Sequence, residues 1–190
     1  MLILASSSPR RQQLLKFITE DFTVESSDIE EVIDEEKVIN HAIEELAYKK
    51  AREIFNKHPE AMVIGADTVV VLAGEILGKP QDRIQAITML EALSGKPHQV
   101  YTGVSIISKK ASVNFHVITD VVFYPLEKKD IEDYVDECQP FDKAGAYAIQ
   151  EKAALFVKEI HGDYYNIMGL PIPRLNQELK RIQAINDAKK

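Results

Sequence analysis

The chain opens on a short apolar run, Leu2-Ile3-Leu4, that stops at Ser6-Ser7-Ser8. An apolar stretch of this length, ended by turn-forming residues, predicts a buried strand. Ser8 stands where an N-cap belongs and Pro9 at the first helical position, with Leu14, Leu15, Phe17 and Ile18 as the apolar positions of a helix. Phe22-Thr23-Val24 predicts a second short strand. A long helix is expected from about Asp34 to Asn56, where Val38, Ala42, Ile43, Leu46, Ala47, Ala51 and Ile54 recur at near-helical spacing. Ala61-Met62-Val63-Ile64 predicts a strand, interrupted at Gly65-Ala66-Asp67-Thr68 and resumed at Val69-Val70-Val71-Leu72. Ala73-Gly74-Glu75 predicts a hairpin turn into Ile76-Leu77.

Further along, a helix is expected from Gln81 to Leu93, with Ile84, Ile87, Met89, Leu90 and Leu93 apolar and Ser94-Gly95 as its stop. Two long β segments follow, near residues 99–108 and 112–124, joined at Lys109-Lys110. Helix is expected over Lys128–Glu137, strand over Ala154–Ile160, and a last helix from about Pro171 to Ile185. Strands alternate with helices early in the chain and an antiparallel hairpin occupies the middle. That mixture predicts an α/β fold in which helices cover a mixed sheet. Without repeats, low-complexity linkers or a composition break, residues 1–185 are expected to form one domain and residues 186–190 a frayed tail.

A chain of 190 residues can bury one substantial core. The formal net charge of −7 argues against general affinity for nucleic acid or an anionic membrane. No apolar run approaches the roughly 20 residues needed to span a bilayer, and Met1-Leu2-Ile3-Leu4 has neither the length nor the basic flank of a signal peptide. Cys138 is the only cysteine, so no internal disulfide is possible and a reducing cytoplasm is the expected compartment. His41, His58, His98, His116 and His161 lie far apart, without zinc-type spacing.

Charge matters most where it is misplaced. Arg10 and Arg11 fall in the first turn of the predicted helix, where cations cost roughly 0.3–1 kcal/mol each when exposed. A bound anion reverses that cost, since serine hydroxyls, backbone N–H groups and guanidinium forks can all address it. Asp67 interrupts an otherwise uncharged run from Ala61 to Val71. A buried carboxylate costs several kcal/mol unless paired, hydrogen-bonded or metal-bound. Asp67 is thus a candidate catalytic group, or else the cap of a turn at a strand end.

Glu30 and Glu31 lie among Asp28, Asp34, Glu35 and Glu36; they are solvated or capping carboxylates, or one of them joins Asp67 around a hard divalent cation. Lys79, between Gly78 and Pro80, and Lys50, beside Lys49 near a helix end, are ordinary surface lysines or candidate site cations. The small-residue stretch from Asp142 to Gln150 is a packed loop or a place of close ligand approach, and Gln150 can both donate to and accept from a nucleobase edge. Neither a Walker-type loop nor a GxGxxG motif is present.

Taken in order, several short motifs resemble the Maf family of nucleoside triphosphate pyrophosphatases. They are Leu4-Ala5-Ser6-Ser7-Ser8-Pro9-Arg10-Arg11, Ser27-Asp28-Ile29-Glu30-Glu31, Leu46-Ala47-Tyr48-Lys49-Lys50-Ala51, Gly65-Ala66-Asp67-Thr68, Gly78-Lys79-Pro80 and Leu93-Ser94-Gly95. Asp142-Lys143-Ala144-Gly145-Ala146-Tyr147, Gly162-Asp163-Tyr164-Tyr165 and Gly169-Leu170-Pro171 complete the set. The resemblance runs nearly end to end and is nearest to the branch acting on dTTP and UTP. Similar sequences carry glycines where this chain has Ala148 and Glu151.

The resemblance implies an elongated mixed sheet flanked by helices, with two lobes and a nucleotide cleft between them, as in Maf and ITPase-like proteins. It implies hydrolysis to a nucleoside monophosphate and pyrophosphate with a divalent cation, magnesium or manganese, by a cytoplasmic homodimer. Asp67 would accept the proton of the attacking water, and Glu30 with Asp67 would hold the metal. Arg10, Thr68 and Gln150 match positions that select the substrate; Ser6, Arg11, Lys50, Lys79 and Lys143 match positions around the phosphates. Another reading is a nucleotide-binding regulator of septum formation with little turnover, which has no need of a water-activating carboxylate. A plain interaction domain leaves Arg10, Arg11 and Asp67 unexplained.

Overall fold

A computed structural model describes residues 1–30 and 37–187 of the chain. The described residues contain strands β1 (Leu2–Ala5), β2 (Thr23–Val24), β3 (Met62–Leu72), β4 (Glu75–Leu77), β5 (Pro97–Ile107), β6 (Ser112–Phe123) and β7 (Val157–His161). They form one sheet in the order β2-β1-β3-β5-β6-β7, with β4 paired to β3. β1 runs parallel to β2 and β3, whereas β3–β4 and β6–β7 are antiparallel, so the sheet is mixed as expected. The helices are α1 (Pro9–Leu15), α2 (Ile39–Lys57), α3 (Arg83–Leu93), α4 (Lys128–Cys138), α5 (Tyr164–Ile167) and α6 (Ile172–Asp187).

The chain packs as two compact units. One comprises Met1–Asp67, Thr102–Val117 and Gly169–Lys190; the other comprises Thr68–Tyr101 and Ile118–Met168. In the first, Ile3 and Ala5 of β1, Ala51 and Ile54 of α2, Ala61, Val63 of β3 and Ile107 of β5 form a buried cluster, with Tyr48 and Phe55 against it. In the second, α3 packs on α4, burying Leu90, Leu93, Ile131 and Val135.

The expected interruption of β3 is absent: the strand runs unbroken through Gly65-Ala66-Asp67-Thr68. A glycine there permits either a bend or a close backbone approach, and Gly65 serves the close approach. A Cβ there would lie 2.3 Å from the carbonyl oxygen of Ala47 and 2.8 Å from the amide nitrogen of Ala51. Gly103 plays the same part on β5, where a Cβ would lie 2.4 Å from the carbonyl oxygen of Ile43. The backbone of α2 therefore rests directly on the sheet at both glycines. The expected hairpin does form at Ala73 and Gly74, both with positive φ.

Other differences lie at element ends. α1 stops at Leu15, leaving Phe17 exposed rather than on a buried helical face. Val38 is the exposed N-cap of α2, and the expected start at Asp34 lies outside the described residues. Asp82 caps α3 by accepting the Gln85 N–H at 2.8 Å, so Ile84 falls in an exposed first turn. A 3₁₀ segment, Lys152–Phe156, replaces the first half of the strand expected from Ala154, and Leu155 is exposed there. The apolar pattern predicts no element at α5, which Asp163 starts by accepting the Tyr165 N–H at 2.8 Å. α6 continues to Asp187.

Because backbone atoms cannot yield as a flexible side chain can, Gly65→Ala is expected to destabilise the protein by roughly 3 kcal/mol. Urea unfolding of the variant beside wild type measures this.

Candidate active site

In the first unit, the chain turns sharply after β1, and the Ser6 N–H donates to the Leu4 carbonyl at 2.9 Å. Ser8 is the N-cap of α1, and its Oγ accepts the Arg11 N–H at 3.5 Å. Ser6 is buried; its Oγ accepts the Ser8 N–H at 3.2 Å and a guanidinium N–H of Arg11 at 3.3 Å. Arg11 also donates through Nε to the Gly169 carbonyl at 2.7 Å. Gly169 has φ +106°, a conformation that side chains disfavour. The Arg11 guanidinium thus ties the serine turn to the Gly169 segment. Arg10 is half-buried on the same turn. α1 has only seven residues, so its macrodipole is small.

Asp67 is buried, 8% exposed, and so is Lys50, 5% exposed. Their charges meet at 2.5 Å, the Lys50 ammonium donating to Asp67 Oδ1. Lys50 is therefore no surface lysine at a helix end. It lies within α2 on the face that carries Ala47 and Ala51, one turn from the contact with Gly65. Residues two apart on a strand share a face, so Gly65 and Asp67 both face α2. The glycine admits the helix backbone, and the next residue on that face meets the lysine. Breaking such a pair strands an uncompensated buried charge and costs about 3–5 kcal/mol.

Glu30 is exposed in an irregular segment. That segment is tethered to α2 at Asp28, whose N–H donates to Glu53 Oε2 at 2.9 Å. Lys57 bonds the other oxygen of Glu53 at 2.9 Å, and this ammonium is the main reason that the Glu53 carboxyl sits below the ordinary carboxylate range. Glu31 lies outside the described residues. Among the described residues no group of three or more His, Cys, Asp and Glu side chains could hold a metal ion.

The second unit carries Thr68, Lys79, Lys143 and Gln150. Thr68 is half-buried on β3, directly after Asp67; Lys79 and Gln150 are exposed, and Lys143 is buried. Two of these segments are joined: the Gly145 N–H donates to the carbonyl of Gly78, the residue before Lys79, at 3.0 Å. This contact depends on a left-handed 3₁₀ turn, Ala144–Ala146, with φ +65° at Gly145 and +60° at Ala146. Gly145 leaves room for Val70, which a Cβ would meet at 2.9 Å. A non-glycine residue at positive φ is strained, so the unusual conformation falls on Ala146. Ala148 is not among the positive-φ residues, so the glycine of similar sequences is not required there for backbone reasons.

Two side chains outside the expected set hold this loop. Tyr147 is buried, and its hydroxyl lies 2.9 Å from Nε2 of the buried His98 on β5. The Tyr134 hydroxyl of α4 accepts the Ala148 N–H at 3.4 Å. Rings of His98, Phe123, Tyr147, Phe156 and Tyr134 meet edge to face, with centroids 4.8–6.0 Å apart. Burial pushes the His98 imidazole down to about 4 and the Tyr147 phenol well above its usual range, so both are neutral near pH 7. Tyr147 is within reach of sequence reasoning, as the one aromatic residue of the small-residue stretch from Asp142 to Gln150.

The mixed sheet and its helices define an α/β fold of the Ham1 type. A HAM1 protein from Coxiella burnetii aligns with a TM-score of 0.54 over 95% of this chain and 98% of that chain, at 16% identity, a likeness of fold alone. The chain belongs to the Maf family: the family described as Maf-like protein matches residues 1–182. A protein of Geobacillus sp. (strain WCH70) named dTTP/UTP pyrophosphatase is 49% identical over 181 residues, which cover 95% of this chain and 97% of that protein. A protein of the same name from Clostridioides difficile (strain 630) is 48% identical over 187 residues, covering 97% and 96% respectively.

His98 provides a pH test of the loop support. Its folded value lies below the ordinary histidine value of 6.5, so the unfolded chain binds this proton more readily. The associated stability is complete above pH 6.5 and is lost as pH falls toward 4, amounting to about 3 kcal/mol. Subtracting the stability–pH curve of His98→Phe from that of wild type is expected to reveal a loss of this sign in this window. Parallel curves contradict it.

Proposed function

We propose that this protein is a metal-dependent nucleoside triphosphate pyrophosphatase that hydrolyses dTTP and UTP to the monophosphate and pyrophosphate. The observation that carries the reading is Asp67: a buried carboxylate, matched in charge by Lys50, in the same unit as Ser6 and Arg11. The relatives named dTTP/UTP pyrophosphatase, matched nearly end to end, support the substrate class.

Cutting a phosphoanhydride requires neutralising charge on phosphate oxygens and orienting water. Arg11, Lys50, Lys79 and Lys143 supply positive charge, and Ser6 supplies a hydroxyl. Arg10, Thr68 and Gln150 select the substrate. Asp67 holds the attacking water by one oxygen and takes its proton as the oxygen–phosphorus bond forms; pyrophosphate departs with the electrons of the broken anhydride bond. Proton transfer to a positioned base contributes typically 10²–10⁴-fold.

Asp67 and Glu30 offer oxygen donors, which suit magnesium or manganese. A pair of carboxylates is enough for such a cation when water and substrate phosphates complete its shell. When bound, the cation neutralises phosphate charge. We further propose that the protein is a homodimer and that it works in the cytoplasm, a reducing compartment that suits a chain with one cysteine. Among the described residues no helix is long and apolar enough to cross a membrane.

The test is a panel of canonical and modified triphosphates with magnesium or manganese, read by identifying products. dTTP and UTP are expected to yield monophosphate and pyrophosphate. Diphosphate plus phosphate sinks the mechanism, and binding without turnover supports a nucleotide-binding regulator instead.

A further inference from the structure

Lys143 is the most enclosed cation of the second unit's loop, its side chain only 8% exposed, and it touches two carboxylates. Its ammonium lies 2.8 Å from Asp142 Oδ1 and 3.6 Å from Glu151 Oε1. Both carboxylates therefore stand against the same ammonium. Glu151 opposes the arrival of a phosphate, which carries charge of the same sign and seeks that ammonium.

The two carboxylates are held differently. Asp142 neighbours Lys143 in the chain, and its contact has normal hydrogen-bond length. Glu151 reaches Lys143 from the far end of the loop, at a distance beyond a direct hydrogen bond. Its backbone is fixed on both sides. The Glu151 N–H donates to the Ala148 carbonyl at 3.0 Å, and its own carbonyl accepts the Ala154 N–H at 2.9 Å as the next 3₁₀ turn begins. The side chain is 40% exposed, against 8% for Lys143, so it can swing into water without moving the loop.

Resting on the phosphate role proposed for Lys143, we infer that Glu151 is an affinity-setting residue. It pairs with the Lys143 ammonium, yields to an incoming phosphate, and so weakens substrate and product binding alike. Glu151 takes no part in the bond-breaking step. Its removal acts on binding and leaves the chemical step nearly unchanged.

The test is calorimetric titration of the full-length protein with the non-hydrolysable α,β-methylene analogue of dTTP, with magnesium at fixed ionic strength. Glu151→Gln is expected to bind about three- to tenfold tighter than wild type and to lower KM for dTTP in the same proportion, with kcat nearly unchanged. Glu91→Gln, the same charge change at an exposed position of α3, is expected to leave binding unchanged. In a Lys143→Met background, Glu151→Gln is expected to give no tightening. Unchanged or weaker binding by Glu151→Gln, or equal tightening with Lys143 absent, overturns the inference. Wild-type turnover is read in parallel: tightening without pyrophosphate release from dTTP leaves the inference standing and overturns the proposed enzyme. Absence of binding in every variant overturns both.

Discussion

The direct contact of the α2 backbone with the sheet at Gly65 and Gly103 is the constraint on which the first unit depends. A side chain at either position would collide with helix main chain at under 2.5 Å. With both absent, the helix settles against β3 and β5, and its buried face of Ile43, Ala47, Ala51 and Ile54 is fixed in rotation. Lys50 then has one direction to point. Asp67, on the same face of β3 as Gly65, is what it meets. The buried charges thus depend on a packing geometry made by glycine and alanine, residues without chemistry of their own.

The second unit solves a different problem with different means. Its loop carries Lys143 and Gln150 through a left-handed turn at Gly145 and Ala146. Such a turn persists only where its surroundings hold it. Here the holders are the Tyr147–His98 contact, the Tyr134 hydroxyl on Ala148, and the Gly145–Gly78 hydrogen bond that links the Lys143 and Lys79 segments. Aromatic rings packed edge to face add roughly 0.5–1.5 kcal/mol per pair beyond the area they bury, which helps the unit bear the cost of Ala146.

Periodicity made most of the fold legible: the strands of the mixed sheet and the helices over residues 39–57, 83–93, 128–138 and 172–187 follow the apolar pattern closely. It failed where one residue type has two uses. Gly65 signals a bend as readily as it signals a close approach, and only the position of α2 decides between them. Phe17 and Ile84 lie on the expected apolar stripes, yet they fall at or beyond helix ends and stay exposed. Among the candidate site residues, the charge isolated in an apolar run singled out Asp67. Nothing local marked Lys50 as buried, because its burial comes from a strand 17 residues away in sequence. His98 carried no signal among scattered histidines; its role depends on a tyrosine 49 residues away.

The proposed hydrolysis makes Asp67 its base, and Lys50 holds that carboxylate at 2.5 Å, so the two are expected to act as one unit in catalysis. A double-mutant cycle on kcat/KM for dTTP hydrolysis tests it most directly, comparing wild type, Lys50→Met, Asp67→Asn and the double variant, each checked for a folded state. If the pair is one unit, each single variant loses on the order of 10²–10⁴-fold and the double variant loses little more than either. Losses that multiply in full would contradict it, because the two side chains would then contribute independently.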